Sequence, residues 1–392
     1  MMPGSFTVAR TPHLHFGTGK LSDLPSLIRS IGKNVLLVTG ARSFLTSEYG
    51  RTLPDKLRQT GFAFEHHIIS QEPTPEIIDQ AVRRFISFHC DVVVAIGGGS
   101  VLDAGKAISA MLPLNEPVKS YLEGVGTKVS HPGAKVPFIA IPTTSGTGSE
   151  ATKNAVLSET GEHGYKKSLR HNNFVPDIAI LDPLLTINCP PSITASSGMD
   201  AFTQLFESYV STAASPITDT LAVKGLNCVS TSLRKAFHDG SNVEARTDMS
   251  LASYLSGITL ANAGLGLVHG FASSIGGFFD IRHGVICSSL MSACNRSTVK
   301  KLRQRRTNDA ALVKYANAGK IFSDATNKSN DYYIDFFLNL IDDWARSMKI
   351  PPLRNGGVLQ EHLPKIVDAT DNKNNPVALE KVEMMEVLEE SI

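Results

Sequence analysis

An α/β first half joined to an all-helical second half is the fold the sequence predicts. Three observations carry that reading. Apolar runs alternate with helical periodicities up to about residue 190. No convincing strand follows Thr194. The pair Pro190-Pro191 separates the two regimes. Strand and helix in strict alternation build a mostly parallel sheet with helices on both faces, a Rossmann-like arrangement. Domain boundaries are accordingly expected at 1–190 and 191–392.

The elements follow in order. Ser5 to Phe16 alternates weakly and predicts an edge strand. Such an edge is safer paired than open, which suggests a homodimer or a multiple of one. Asn34–Gly40, NVLLVTG, is an apolar run ending in glycine, the pattern of a buried strand. Phe62 to Ile69 gives a second strand. Pro75 opens a helix whose apolar positions Ile77, Ile78, Ala81, Val82, Phe85 and Ile86 recur at helical spacing. Asp91 to Ile96 is apolar on both faces, as a central parallel strand requires. Val136 to Ile141 and Asp177 to Leu181 complete the strands. Helical periodicity then runs through Ala201–Tyr209, Leu221–Phe237, Leu251–Phe279 and Tyr332–Met348.

Composition narrows the function. Lys and Arg total 38 against 37 Asp and Glu, so no basic excess marks a nucleic-acid or anionic-membrane partner. The run KKLRQRR at Lys300 to Arg306 reads as a solvated helix face. No apolar run reaches the roughly 18 residues of a membrane span, and Met1 to Arg10 lacks the apolar stretch of an export signal. The five cysteines are scattered and never form C-x-x-C, which suits reduced thiols in a cytoplasmic protein.

Two loops leave strands in places suited to a ligand. Gly97-Gly98-Gly99-Ser100 lies between a strand and a helix. Glycine there lets a phosphate approach the backbone, and the helix N-terminus supplies free N–H groups. Ser100 can add a hydroxyl, and Asp103 falls in the first helical turn. The hydroxyl-rich loop Thr143 to Ser149 follows the next strand and suits phosphates and sugar. Gly17-Thr18-Gly19-Lys20 lacks the spacing of a Walker loop, and a G-x-G-x-x-G fingerprint is absent. In the helical half, Asp200 and Gln204 share a helix face, on a helix expected to start after Ser196-Ser197-Gly198. His269 and His283 lie fourteen residues apart. Asp and His are common ligands of divalent metals, although a histidine is more often a plain hydrogen-bonded residue.

Several long segments in order carry a resemblance that runs nearly end to end. They are DVVVAIGGGSVLDAGKA from Asp91, IPTTSGTGSEAT from Ile141, AILDP from Ala179, GMDAFTQLFESYVS from Gly198, NAGLGLVHGFASSIGGFFDIRHG from Asn262, and the closing Asn375-Pro376. Together they resemble the iron-containing (group III) alcohol dehydrogenase family, with its dehydroquinate synthase-like architecture. The resemblance implies a nicotinamide dinucleotide, NAD or NADP, on the α/β domain and a divalent metal, Fe²⁺ or Zn²⁺, on the helical one, with a small alcohol or aldehyde between them. It implies that Gly97, Gly98, Gly99 and Ser100 hold the pyrophosphate, that Thr143, Thr144 and Ser149 line the nucleotide, and that Lys166 or Lys167 reaches the nicotinamide ribose. Asp200, His269 and His283 match three metal ligands and form the expected catalytic group. Gln204 stands where the family has a histidine, and Ser273 where many members have another. An amide oxygen is a weaker donor than imidazole, so a metal-free reductase of an activated carbonyl, similar to maleylacetate reductases, is the alternative. A dehydroquinate synthase-like lyase and a non-enzymatic dinucleotide-binding protein are further ones. At the end of the first long strand many relatives have an acidic residue that would repel a 2′-phosphate. Gly40 stands there, with Arg42 nearby to pair with a phosphate, so NADP is expected to be tolerated.

Overall fold

The computed structural model describes residues 5–41, 44–127, 130–305 and 309–392. Its strands are β1 (His13–Phe16), β2 (Asn34–Gly40), β3 (Ala63–Ile69), β4 (Val92–Gly97), β5 (Phe138–Pro142), β6 (Asn154–Glu159), β7 (Tyr165–Arg170) and β8 (Ile178–Leu181). Six of them form one parallel sheet in the order β1-β8-β5-β4-β2-β3. The centre of the sheet is buried on both faces because β4, β5 and β8 are apolar at every position. Leu36, Val38, Val93 and Ala95 pack on one side with Phe85 of α3 (Pro75–Phe85) and Ile108 of α4 (Gly99–Met111). Val35, Leu37, Val92 and Val94 face the other way, against Ile28 of α1 (Leu24–Arg29) and Leu57 of α2 (Glu48–Gln59). Successive residues thus feed opposite cores, which is why these runs do not read as amphipathic.

The chain from Pro191 onward is helical, with α5 (Pro191–Val210), α6 (Pro216–His238), α7 (Val243–Ala263), α8 (Leu267–Phe278), α9 (His283–Arg305), α10 (Asp309–Phe322), α11 (Asn330–Ser347), α12 (Leu363–Asp368) and α13 (Lys381–Ser391). No strand follows β8 among the described residues. Helix α5 runs through the middle of this half. Met199, Phe202, Leu205 and Phe206 are fully buried against α6, α9 and α11. At roughly 1.5–3 kcal/mol for each large apolar side chain, this burial also carries the cost of sequestering the polar Asp200, Gln204 and Glu207 on the same helix.

Five expectations need correction. Helix α5 begins at Pro191, where proline suits the first turn, and not after Gly198. The stretch from Leu251 to Phe279 is two helices, α7 and α8, that meet at 98°. The break falls at Gly264, whose φ of 68° lies in the left-handed region. The hairpin β6–β7 escaped the sequence because YKKSLR is polar, yet its antiparallel pairing buries Ala155, Leu157 and Leu169. The run KKLRQRR is not wholly solvated. Lys301 is buried and pairs with Glu383 of α13, and Arg303 bonds Asp331 and Asp335 of α11. The expected edge strand shortens to β1, which pairs with β8 at the margin of the sheet. No single helix among the described residues is long and apolar enough to cross a membrane.

Candidate functional site

In an open parallel sheet, ligands settle beyond the strand ends where the strand order reverses. Here that point lies between β2 and β4, since β3 flanks β2 on one side and the chain returns to place β4 on the other. Gly40 ends β2 and Gly97 ends β4, with Thr39 opposite Ile96 just before them. Helix α4 starts directly beyond, capped by Gly98 with no side-chain hydrogen bond. Its N–H groups and dipole therefore face the crevice. The glycines differ in cause. A Cβ on Gly97 would lie 2.6 Å from Val101 Cβ, and one on Gly99 2.6 Å from Thr147 Cγ2, so packing alone demands glycine at both. On Gly98 it would stand 3.5 Å from Thr144 Oγ1, an ordinary contact. The fold does not require glycine at 98, and a close-lying phosphate would.

Beside this crevice lies a cleft of about 250 Å³. Thr143, Thr144, Phe44, Tyr49, Leu184 and Ile187 are among its lining residues. Two of the expected nucleotide residues thus stand together on a partly apolar wall, as a base and ribose need. Ser149 and Asp103 are placed otherwise. Ser149 Oγ donates to Asp103 Oδ1 at 2.6 Å, and Lys106 Nζ, fully buried, donates to the Ser149 and Thr152 carbonyls at 2.8 and 2.9 Å. These contacts pin the Thr143–Ser149 loop to α4. Burial pushes the Asp103 carboxyl up and draws the Lys106 ammonium down to about 8. Arg42 lies outside the described residues.

The second group assembles in the helical half. Asp200 projects from α5, His269 from the first turn of α8, and His283 and Cys287 from the first turns of α9. The bend between α7 and α8 turns His269 toward α5. One ligand atom from each of the four lies within 4.8 Å of the others. His269 Nε2 is 3.3 Å and His283 Nε2 3.9 Å from Asp200 Oδ1. Cys287 Sγ is 3.6 Å from each of the two Nε2 atoms. Asp200 is 1% exposed, and its Oδ1 has no hydrogen-bond partner. A buried carboxylate oxygen left without a bond is costly, and this one is aimed at two imidazole nitrogens. A divalent cation fits that donor set.

The surroundings tune it. Glu207, two turns along α5 from Asp200, accepts His269 Nδ1–H at 2.6 Å and the Val268 N–H at 2.7 Å. It fixes the imidazole with Nε2 inward and also satisfies an orphan donor at the start of α8. Burial alone would lower His269, but Cys287, Glu207 and Asp200 outweigh it and hold the ring well above its ordinary value. His283 is lowered to about 3 by burial, with Lys166 adding to the effect. Burial would raise Asp200, and the two histidines hold it low. Burial pushes the Cys287 thiol up to about 12. Gln204 is buried, and its Oε1 accepts Ser256 Oγ–H at 2.7 Å. Ser273 Oγ donates to the His269 carbonyl at 2.8 Å.

A polar chain runs from the glycine loop toward the second group. Strand alternation separates the two candidate lysines: Lys167 is exposed, whereas Lys166 turns inward and packs on α8 at Gly276. Lys166 Nζ lies 3.5 Å from Glu72 Oε2, and Ser100 Oγ donates to Glu72 Oε1 at 2.6 Å. Lys166 and Glu72 both act on the charge of His283, so this pair stands between the glycine loop and the Asp200 group. Sequence reasoning missed Glu72, Glu207 and Cys287. The last two carried a signal in their spacing, Asp200 to Glu207 being seven residues and His283 to Cys287 four, both on one helix face.

Two family models match the chain: iron-containing alcohol dehydrogenase over residues 11–183, and the C-terminal part of the same family over 194–392. The NAD-dependent methanol dehydrogenase of Bacillus methanolicus is 34% identical over 277 residues, 70% of this chain and 71% of that one. The NADPH-dependent butanol dehydrogenase of Clostridium saccharobutylicum is 29% identical over 400 aligned positions, 98% and 97% of the two chains. A crystal structure of 1,3-propanediol oxidoreductase superposes with a TM-score of 0.87 at 28% identity, covering 99% of this chain and all of that one. With the glycine loop at the crevice and the Asp-His-His group in the helical half, these likenesses place the chain in the iron-containing alcohol dehydrogenase family, as an oxidoreductase.

Proposed function

We propose that the protein transfers hydride between a small alcohol or aldehyde and NAD(P), with a divalent cation held by Asp200, His269 and His283. The observation that supports this best is the bridge of Ser100, Glu72 and Lys166, which runs from the glycine loop to the neighbourhood of His283, beside the orphaned Asp200 oxygen. Gly98 and the α4 N-terminus receive the pyrophosphate, and Thr143 and Thr144 line the adenosine side. Lys166 points to the ribose next to the nicotinamide and Lys167 does not. The cation, when bound, supplies Lewis-acid polarisation of the substrate oxygen. Asp200 contributes the anionic ligand, and the two histidines present nitrogen lone pairs. Glu207 keeps the His269 proton on Nδ1, away from the cation. Apolar walls and burial exclude water, so alignment of the carbinol carbon with the nicotinamide ring is retained through turnover. The division at residue 190, the homodimer through the β1 edge and a cytoplasmic location belong to the same reading.

The test follows the NAD(P)H absorbance with a panel of aldehydes and alcohols, before and after exhaustive chelation with elemental analysis. Turnover that is lost on chelation and restored by Fe²⁺ or Zn²⁺ is the expected result. Full activity of metal-free protein would replace the metal reading with the activated-carbonyl reductase. A monomer by light scattering at micromolar concentration would remove the dimer.

A further inference from the structure

We propose that Cys287 is the fourth protein ligand of the cation, which makes this a sulfur-containing site suited to zinc more than to iron. The inference rests on the metal reading above and adds a residue and a metal preference to it. Gln204 holds the position expected for a third histidine, but its carbonyl oxygen is engaged by Ser256 Oγ at 2.7 Å. Cys287 supplies what Gln204 does not. It stands one turn after His283 on α9, fully buried. Its sulfur is 3.6 Å from His269 Nε2 and 3.6 Å from His283 Nε2. Bonds of about 2.3 Å to sulfur and 2.0–2.1 Å to nitrogen, at a tetrahedral angle, set the N···S edge at roughly 3.6 Å and the N···O edge at roughly 3.4 Å. Asp200 Oδ1 stands 3.3 and 3.9 Å from the same two nitrogens. The four atoms thus already outline a coordination shell.

A merely packed cysteine would account for less. One S–H can serve only one of two equidistant nitrogens. A cation among the four atoms satisfies them all, and on binding the thiol proton, with the Nε2 proton of His269 where that ring is charged, leaves to solvent. Thiolate is a soft donor, and a set of one carboxylate, two imidazoles and one thiolate favours Zn²⁺ or Co²⁺ over Fe²⁺.

Cobalt(II) is the probe. The full-length protein is stripped, reloaded with Co²⁺, and its uptake measured by elemental analysis. We expect one equivalent per chain and a near-ultraviolet thiolate-to-cobalt charge-transfer band. Cys287→Ser should lose that band and weaken Zn²⁺ binding about 100-fold, the upper end of what even outer-shell changes cost. Cys294→Ser should keep the band. Wild-type protein that holds Co²⁺ without the band overturns the proposal and leaves the metal reading standing, as does a band that survives Cys287→Ser. Failure of wild type to take up Co²⁺ or Zn²⁺ overturns both. The wild-type spectrum decides even where a variant folds poorly.

Discussion

Glu207→Gln isolates the role of a residue that never needs to touch the cation. The substitution preserves shape and volume but removes the charge and one acceptor. Glu207 now accepts two hydrogen bonds, from His269 Nδ1 at 2.6 Å and from the Val268 N–H at 2.7 Å. A glutamine can accept only one of them with its oxygen. If the oxygen stays on His269, its amide NH₂ meets the Val268 N–H, donor against donor. If it turns to Val268, the NH₂ faces Nδ1, and the imidazole must carry its proton on Nε2, where the cation should bind. Both outcomes lose one charge-assisted bond, about 1.5–3 kcal/mol. Loss of such an outer partner weakens metal binding by about 10–100-fold, or roughly 1.4–2.8 kcal/mol. Competitive Zn²⁺ titration against a chromophoric chelator measures the effect, and thermal unfolding of the apo form reports the fold separately. Glu207→Ala should lower apo stability further, because two buried donors lose their acceptor. Unchanged zinc affinity in Glu207→Gln would refute the claim that this carboxylate sets the tautomer of His269.

Three more outcomes are expected. Gly98→Ala should fold normally, since its Cβ meets Thr144 at an ordinary 3.5 Å, yet weaken coenzyme binding about tenfold or more; Gly97→Ala should instead lose about 1–3 kcal/mol of stability against Val101, and the reverse pattern in calorimetry and fluorescence titration would sink the assignment. Gly40→Asp has room, 3.5 Å from Val101 Cγ2, and should shift preference toward NAD; wild-type protein that rejects NADP(H) would contradict it. Glu150, 1% exposed, has its pKa raised by burial from 4.5 to about 7. A raised carboxyl favours folding at low pH, so its contribution falls as pH climbs from 4.5 to 7, by roughly 3 kcal/mol. Glu150→Gln should flatten that fall, and a urea midpoint at pH 8 no higher than that of wild type would count against it.

What the sequence disclosed follows from how each signal is encoded. The sheet was legible because Val35–Val38 and Val92–Ile96 are apolar without interruption, and only strands buried on both faces need that. Hairpin β6–β7 was not, because its alternation is masked by Tyr165, Lys166 and Lys167, and the polarity that hides it serves the cleft. The Lys166 side chain reaches inward because its neighbour on the strand does not. Asp200, His269 and His283 were visible as residue types, while their convergence depends on the bend at Gly264. Cys287 illustrates the deeper difficulty. One of two buried cysteines on α9 reads as packing, and only its distance from two imidazoles separates a ligand from a filler. The loss of a histidine at position 204 reads as a weakened site only while position 287 is left out. Once α9 brings a sulfur to the same two nitrogens, Gln204 marks a change in the kind of donor and not a deficit in their number. In this chain the apparent departure from the family pattern and the unassigned thiol are therefore two halves of one substitution, made on different helices that meet at a single point.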